Sequence, residues 1–382
     1  MRHKNRSIVI GIPKELSKDE SRITLTPDAV KLLIDRGFRV IFESEAGAEA
    51  HFDDREFAES GAEIALTHEE VFTADIILKM APLTPSEIEL LDKGKTIFSS
   101  WQQSQCSREY IVNLLSKKVT AIAFELIQDR TLTLPLVRSM SEISGNVAMM
   151  IASEYLSNVT LGNGTMLGGV PGVAPTEIVI IGAGTVGFNA CRVAHGMGCS
   201  VKVFDDSLYK LRSLQHHFNN TIYTSTIQPK LLKEAIKQAD VLISAKYSTE
   251  PYRSCIVTED MVMSMKKGSV IIDVSIDQGG CVETSRPTTH SEPVYQIYDV
   301  THYCVPNIPS RVPRTASMSV SNHLLPMLLT LADLGSIDAL LHAELGLIKG
   351  TYTFKGALTN RVVSEKYGIP FQNIELLMSA FY

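Results

Sequence analysis

Gly182-Ala183-Gly184-Thr185-Val186-Gly187 sets three glycines at the first, third and sixth places of one hexapeptide, and Asp205 closes the next apolar run. The hexapeptide directly follows Ile178-Val179-Ile180-Ile181 and opens a helical pattern through Val186, Ala190, Val193 and Ala194. Gly182 permits a tight turn, Gly184 lets the backbone approach a pyrophosphate, and Gly187 lets helix and strand pack closely. The helix N-terminus adds the positive end of its dipole. A lone glycine hexapeptide would be weak; with strand, helix, second strand and terminal carboxylate in order, it predicts a bound dinucleotide rather than a bare strand-to-helix turn. Asp205 can accept two hydrogen bonds from adenosine ribose hydroxyls and would repel a 2′-phosphate, so the expected cofactor is NAD rather than NADP. Lys210 and Arg212 lie just beyond and can help to hold the ribose or, as the lesser alternative, admit the phosphorylated cofactor; for Arg212 a solvated helix face is the equal alternative.

A second chemical segment is Asp277-Gln278-Gly279-Gly280, which follows the run Val270 to Ser275. Open α/β sheets bind ligands at the carboxyl ends of their strands, and that places Asp277 by the nicotinamide; the alternative is a loop marked only by its two glycines.

The elements that must position these residues are short strands alternating with helices. Residues 1 to 135 read as strands at Ile8–Ile10, Arg39–Phe42, Asp75–Lys79, Thr96–Phe98 and Thr120–Phe124. Between the first two, Thr26 reads as an N-cap and Pro27 as the first helical residue, with Gly37 ending that helix. Residues 136–313 read as a second unit with strands at Ile178–Ile181, Val201–Phe204, Val241–Ile243 and Val270–Asp273, preceded by a long helix over Ser141–Leu156. These strands are nearly continuous apolar runs, as a parallel sheet covered on both faces requires. The tail from 314 to 382 reads as helical, too poor in strand to stand alone, and is expected to return to the first unit. The fold class is therefore α/β with two domains: a Rossmann, doubly wound NAD-binding domain (136–313) and a discontinuous α/β substrate domain with a parallel sheet (1–135 and 314–382).

Composition excludes other classes. With 45% hydrophobic and 20% charged residues the chain is an ordinary globular protein. A net charge of -6 gives no reason to bind nucleic acid. The six cysteines are scattered, without a C-x-x-C pair, so reduced thiols and no metal are expected. The apolar run Ile8–Ile12 is too short for a signal peptide, and the stretch Leu324–Leu331 contains Pro326 and falls short of a membrane span. No membrane partner and a cytoplasmic protein are expected.

The chain resembles the alanine dehydrogenase and proton-translocating transhydrogenase group over nearly its whole length, and soluble alanine dehydrogenase most closely. The resemblance is carried by Gly11-Ile12-Pro13-Lys14-Glu15, Glu20 to Pro27, Met140 to Gly145, Leu167 to Val173, the glycine hexapeptide, Ile276 to Gly280, Ser285 to Thr289 and Tyr303 to Pro309. It implies NAD-dependent oxidative deamination of L-alanine, or of a related amino or 2-oxo acid, held between two domains of a homo-oligomer, a dimer or a hexamer. By matching positions it implies that Arg22 clamps the substrate carboxylate, a task suited to a bidentate guanidinium. It further implies that Asp277 orients the water or amino group at the reacting carbon, that Ser141 touches the pyrophosphate region, and that Asn307 and Ile308 border the nicotinamide. Two positions depart from the family's pattern: Gln102 stands where a catalytic histidine is expected, and Ala81 where a substrate-binding lysine is expected, with Lys79 two residues earlier as its substitute. Gln102 can hydrogen-bond a carbonyl or carbinolamine oxygen but cannot exchange a proton near neutral pH. His302, Lys79, Asp277 and Glu125 are the candidate proton carriers. Two other readings remain: an NAD-binding relative with a sensing or structural role, and hydride exchange between dinucleotides as in the transhydrogenases.

Overall fold

Runs of Val, Ile and Phe bounded by Gly, Pro and Asp form the strands of the first sheet: β1 (Val9–Ile12), β2 (Arg39–Glu43), β3 (Glu63–Ala65), β4 (Ile76–Leu78), β5 (Thr96–Ser99) and β6 (Thr120–Ala123). The structure is a computed structural model that describes residues 7–102, 106–246 and 255–380. These residues divide into two compact units, one built from the chain up to Ser139 together with the chain from Val312 onward, the other from Met140–Arg311. The helix Pro135–Ser157 runs across the division and starts six residues before the expected Ser141, at a proline whose fixed φ suits a first helical turn.

In the first unit β1 to β6 pair in parallel in the order β6, β5, β4, β1, β2, β3. The register runs Ile10 beside Ile76, Ile76 beside Thr96 and Thr96 beside Thr120. The carboxyl ends of β1, β4, β5 and β6 are thus level, and the loops after them share one edge. Every residue of these four strands is buried, as helices on both faces demand.

The tail departs from the all-helical expectation. Its long helix Pro313–Leu334 packs against the helix Pro27–Asp35, but Thr351–Phe354 and Ala357–Leu358 form a hairpin that extends the sheet antiparallel to β6. Lys355 and Gly356 both take positive φ (49° and 92°), the two-residue turn whose twist matches the strands. Thr26 does cap the helix Pro27–Asp35 in position, but its hydroxyl makes no cap bond; it meets Ser321 Oγ at 3.3 Å, on the tail's long helix.

The second unit holds β7 (Glu177–Ile181), β8 (Ser200–Phe204), β9 (Tyr223–Ser225), β10 (Val241–Ser244), β11 (Val270–Asp273), β12 (Val294–Ile297) and β13 (Val300–Tyr303). Their order is β12, β13, β11, β10, β7, β8, β9, all parallel except the β12–β13 hairpin. The chain leaves β7 for β8 on one side and later places β10 on the other. The strand order therefore reverses at the carboxyl end of β7, where a doubly wound sheet opens its ligand crevice.

Candidate active site

The glycine hexapeptide occupies that crevice. Gly182 has φ of 107°, and a Cβ there would lie 2.5 Å from the Ala245 carbonyl oxygen beyond β10; a Cβ on Gly187 would lie 1.8 Å from the Gly182 carbonyl. Both positions therefore admit glycine alone. Gly184 differs, because a Cβ there would meet nothing within 4 Å. Gly184 is the N-cap of the helix Thr185–Gly196 and, having no side chain, makes no cap bond to its first turn. The open space thus lies over the first-turn N–H groups and the positive end of the helix dipole, a cradle suited to phosphate. Asp205, 4% exposed, accepts the Ala183 N–H on Oδ2 at 2.7 Å and the Ser207 N–H on Oδ1 at 2.8 Å. It fixes the glycine loop to the end of β8 while each carboxylate oxygen keeps a second lone pair. The residues present fit a dinucleotide.

The other residues singled out in this unit lie as follows. Ser141 is half-buried in the helix Pro135–Ser157. Lys210 and Arg212 lie on the exposed side of the helix Leu208–His217. Asp277 falls in the 3-10 turn Ile276–Gln278 just after β11, exposed on the carboxyl edge of the sheet. Gly280 beside it has φ of 70°, in the left-handed region that favours glycine, and a Cβ there would lie 2.7 Å from Asp273 Oδ2. Asn307 has φ of 58° and leads into the 3-10 turn Ile308–Arg311, where Ile308 is buried. His302 is a core residue of β13: Nε2 meets Thr284 Oγ1 at 2.8 Å and Nδ1 meets the Val300 carbonyl at 3.0 Å. Burial holds its pKa below the ordinary value, so it is a neutral, satisfied imidazole.

In the first unit the level strand ends gather ionisable side chains. Arg22, in the loop after β1, is buried, and its guanidinium forks onto Glu20, with Nε 2.7 Å from Oε1 and the second contact 2.5 Å from Oε2. The fork fixes the plane of the guanidinium. Lys79, the residue after β4, is 1% exposed and places Nζ 2.5 Å from Glu15 Oε2 and 3.6 Å from Glu87 Oε1. Glu15 also accepts the Met80 N–H at 2.5 Å. Burial pushes the Glu15 carboxyl up to about 7, against the pull of the Lys79 charge. Burial works against the Lys79 ammonium as well, but Glu15 and Glu87 together outweigh it and keep the lysine charged. The array continues outward, with His68 Nε2 3.1 Å from Glu87 Oε1 and Nδ1 2.7 Å from Glu43 Oε2. With a carboxylate on each nitrogen, both N–H groups donate and the ring is an imidazolium. Burial opposes that charge, yet the two carboxylates raise its pKa to about 9. Gln102 lies half-buried in the loop after β5, and Glu125 follows β6, accepting the Trp101 N–H at 2.6 Å. Ala81 is buried, and its N–H faces both oxygens of Glu15 at 3.4 Å.

Sequence reasoning passed over Glu15, Glu87, His68 and Glu43 as a set. One signal was readable: Thr84-Pro85-Ser86-Glu87 has the spacing of a capping box, and Glu87 does accept the Thr84 N–H at 2.6 Å. That its other oxygen meets His68 is decided by the packing of three separate segments.

Comparisons with known proteins agree along the chain. Models described as "Alanine dehydrogenase/PNT, N-terminal domain" and "Alanine dehydrogenase/PNT, C-terminal domain" match residues 11–144 and 148–361. An alanine dehydrogenase of Mycolicibacterium smegmatis is 39% identical over 365 residues, covering 95% of this chain and 98% of that protein. One from Methanococcus maripaludis is 38% identical over 370 residues, covering 96% and 99%. A solved L-alanine dehydrogenase superposes with a TM-score of 0.88 at 33% identity, over 94% of this chain and 99% of the other. A transhydrogenase from Sinorhizobium meliloti shares the fold, with a TM-score of 0.78 at 23% identity, over 93% and 99%. Among the described residues no single helix is long and apolar enough to cross a membrane.

Proposed function

The chain belongs to the alanine dehydrogenase/PNT family, and from that premise we propose that it catalyses the NAD-dependent oxidative deamination of L-alanine, or of a closely related amino acid, to the 2-oxo acid and ammonia. The observation that carries the cofactor is the Gly182–Gly187 loop at the strand-order reversal, open over Gly184 and tied to Asp205. NAD, when bound, supplies the acceptor for the substrate's hydride. The first-turn N–H groups after Gly184 take the pyrophosphate, Asp205 and Lys210 take the adenosine ribose, and Ser141 borders the phosphates. Asp277, Asn307 and Ile308 stand by the nicotinamide; Asp277 and Asn307 are polar groups on the same carboxyl edge as the glycine loop. In the first unit Arg22 receives the substrate carboxylate, its plane already set by Glu20. Lys79 keeps positive charge at the strand ends, and Gln102 offers an amide to the substrate's oxygen. The protein works as a homo-oligomer of small-molecule specificity on this reading.

The test is NADH formation from L-alanine, followed by a panel of other amino acids. Turnover with L-alanine is expected. Tight NADH binding without turnover of any amino acid would overturn the reading, and hydride exchange from NADH to a thio-analogue of NAD under those conditions would favour transhydrogenase-like chemistry, which needs neither the histidine nor the lysine that Gln102 and Ala81 replace.

A further inference from the structure

Deamination moves a proton as well as a hydride. Near neutral pH an amino acid carries an ammonium, and a carbon–nitrogen double bond cannot form until that nitrogen has released a proton and regained its lone pair. Gln102 has no proton to exchange in this range. Both nitrogens of His302 are satisfied within the second unit, and the Lys79 ammonium is held by Glu15 and Glu87.

The carboxyl ends of β5 and β6 hold an acceptor with spare capacity. Glu125 takes the Trp101 N–H on Oε1, whereas Oε2 is buried and has no hydrogen-bond partner among the described residues; the Ser100 hydroxyl, at the neighbouring strand end, is buried and unpartnered too. Leaving a buried polar atom unsatisfied costs about 1–3 kcal/mol, so such atoms mark places that a further group completes. Arg22 is close enough to act on Glu125 electrostatically. A buried cation and a buried carboxyl with a spare oxygen, on loops of one sheet edge, match the two ends of an amino-acid zwitterion.

We infer that Glu125 receives the α-ammonium of the amino acid whose carboxylate Arg22 holds, and takes its proton. The N–H bond breaks, an O–H bond forms on Glu125, and the nitrogen keeps the electron pair. That pair becomes the second carbon–nitrogen bond as the hydride leaves the α-carbon for the cofactor. In the reverse direction the carboxylic acid returns the proton to the amine. Burial pushes the Glu125 carboxyl above its ordinary value while Arg22 pulls it down, which makes it a better proton acceptor than an exposed glutamate. The other titratable groups that feel its charge, Cys106 and Tyr352, are held neutral by burial. The assignment rests on the chain being an amino-acid dehydrogenase, and it predicts a preference for amino acids over 2-hydroxy acids, which carry no ammonium.

Two measurements test it on the full-length enzyme. Calorimetry in the presence of saturating NADH, where the amino acid cannot turn over, compares L-alanine with L-lactate. Glu125→Gln keeps an acceptor for the Trp101 N–H and is expected to weaken L-alanine binding at least tenfold while leaving L-lactate and NADH binding unchanged. Turnover of L-alanine is expected to fall by about 10²–10⁴-fold in Glu125→Gln, with partial recovery in Glu125→Asp. Unchanged L-alanine affinity together with turnover within threefold of the parent would overturn the role of Glu125 and leave the dehydrogenase reading standing. A parent enzyme that binds NADH and turns over no amino acid would overturn both.

Discussion

Lys79 Nζ lies 2.5 Å from Glu15 Oε2 at the level carboxyl ends of β4 and β1, with only 1% and 7% of the two side chains exposed. The pair is a cation and an acid held out of water, and its members depend on each other. Lys79→Met removes the only cation within ion-pair distance of Glu15 among the described residues and leaves Glu87 with His68 alone as its cation. Breaking a buried pair in this way costs about 3–5 kcal/mol. The penalty depends on pH with a definite sign. The Glu15 carboxyl is raised in the folded chain to about 7 from an unfolded value near 4.5, so its contribution is fully present below that lower value and is lost as pH rises through 7. Urea unfolding of Lys79→Met is therefore expected to show a larger deficit at pH 8 than at pH 5, and Lys79→Met combined with Glu15→Gln should recover part of it. An equal deficit at both pH values would contradict a titrating Glu15.

His68 contributes to the same array with the same sign but over a higher pH range, and through a charged rather than a neutral form. Its ring is raised to about 9 from 6.5 by Glu43 and Glu87 against the cost of burial. A raised histidine stabilises the fold below the unfolded pKa, and the benefit fades as pH climbs through 9. The two carboxylates flank a ring that is 17% exposed, so the contribution at pH 6 is on the order of 3 kcal/mol. His68→Gln should lower stability by about 2–3 kcal/mol at pH 6, with the gap to the parent closing above pH 9. Proton NMR of the ring in the parent should find its titration well above neutrality.

How much of this was legible in the chain depends on the range of the interaction. The glycine loop could be read because turn, helix start and terminal carboxylate are local requirements on consecutive residues, and Gly182 and Gly187 meet them with contacts that exclude a Cβ. The interior strands could be read because a sheet covered on both faces leaves an unbroken apolar run. The hairpin Thr351–Phe354 and Ala357–Leu358 was hidden by its brevity within a helical tail, although Thr-Tyr-Thr-Phe followed by Lys-Gly alternates as a strand and turns as a hairpin does. The ion array was not legible. Glu43, His68 and Glu87 come from a strand end and two short helices, and only tertiary packing sets a carboxylate on each nitrogen of the imidazole.

The glycines of the nucleotide loop should separate folding from binding. A Cβ at position 187 would sit 1.8 Å from the Gly182 carbonyl, so Gly187→Ala forces strand and helix apart and should destabilise the chain by about 1–3 kcal/mol. A Cβ at 184 meets only open space. Gly184→Ala should therefore keep the melting temperature of the parent within a degree or two while weakening NADH at least tenfold, because the methyl intrudes where phosphate would approach the helix N-terminus. Thermal melts and fluorescence titration with NADH measure the two effects separately. A Gly184→Ala chain that bound NADH as the parent does would remove the phosphate from this loop.

Asp205 and Arg22 provide the contrast between cofactor and substrate. Asp205→Ala removes the acceptor of both the Ala183 and Ser207 N–H groups, so the glycine loop loses its tie to β8 along with a partner for the ribose. NADH binding should weaken at least a hundredfold, and stability should fall by about 1–3 kcal/mol for two backbone donors left short of an acceptor. Asp205→Asn keeps one carbonyl oxygen for these donors and should fall between. Arg22→Lys acts in the other unit: it keeps the charge that Glu20 needs but replaces the planar fork with a single ammonium. The KM for L-alanine should rise at least tenfold while NADH affinity stays as in the parent. If Arg22→Lys weakened NADH as strongly as Asp205→Ala did, or if Asp205→Ala raised the KM for L-alanine without touching NADH, the assignment of cofactor to the second unit and substrate carboxylate to the first would fail.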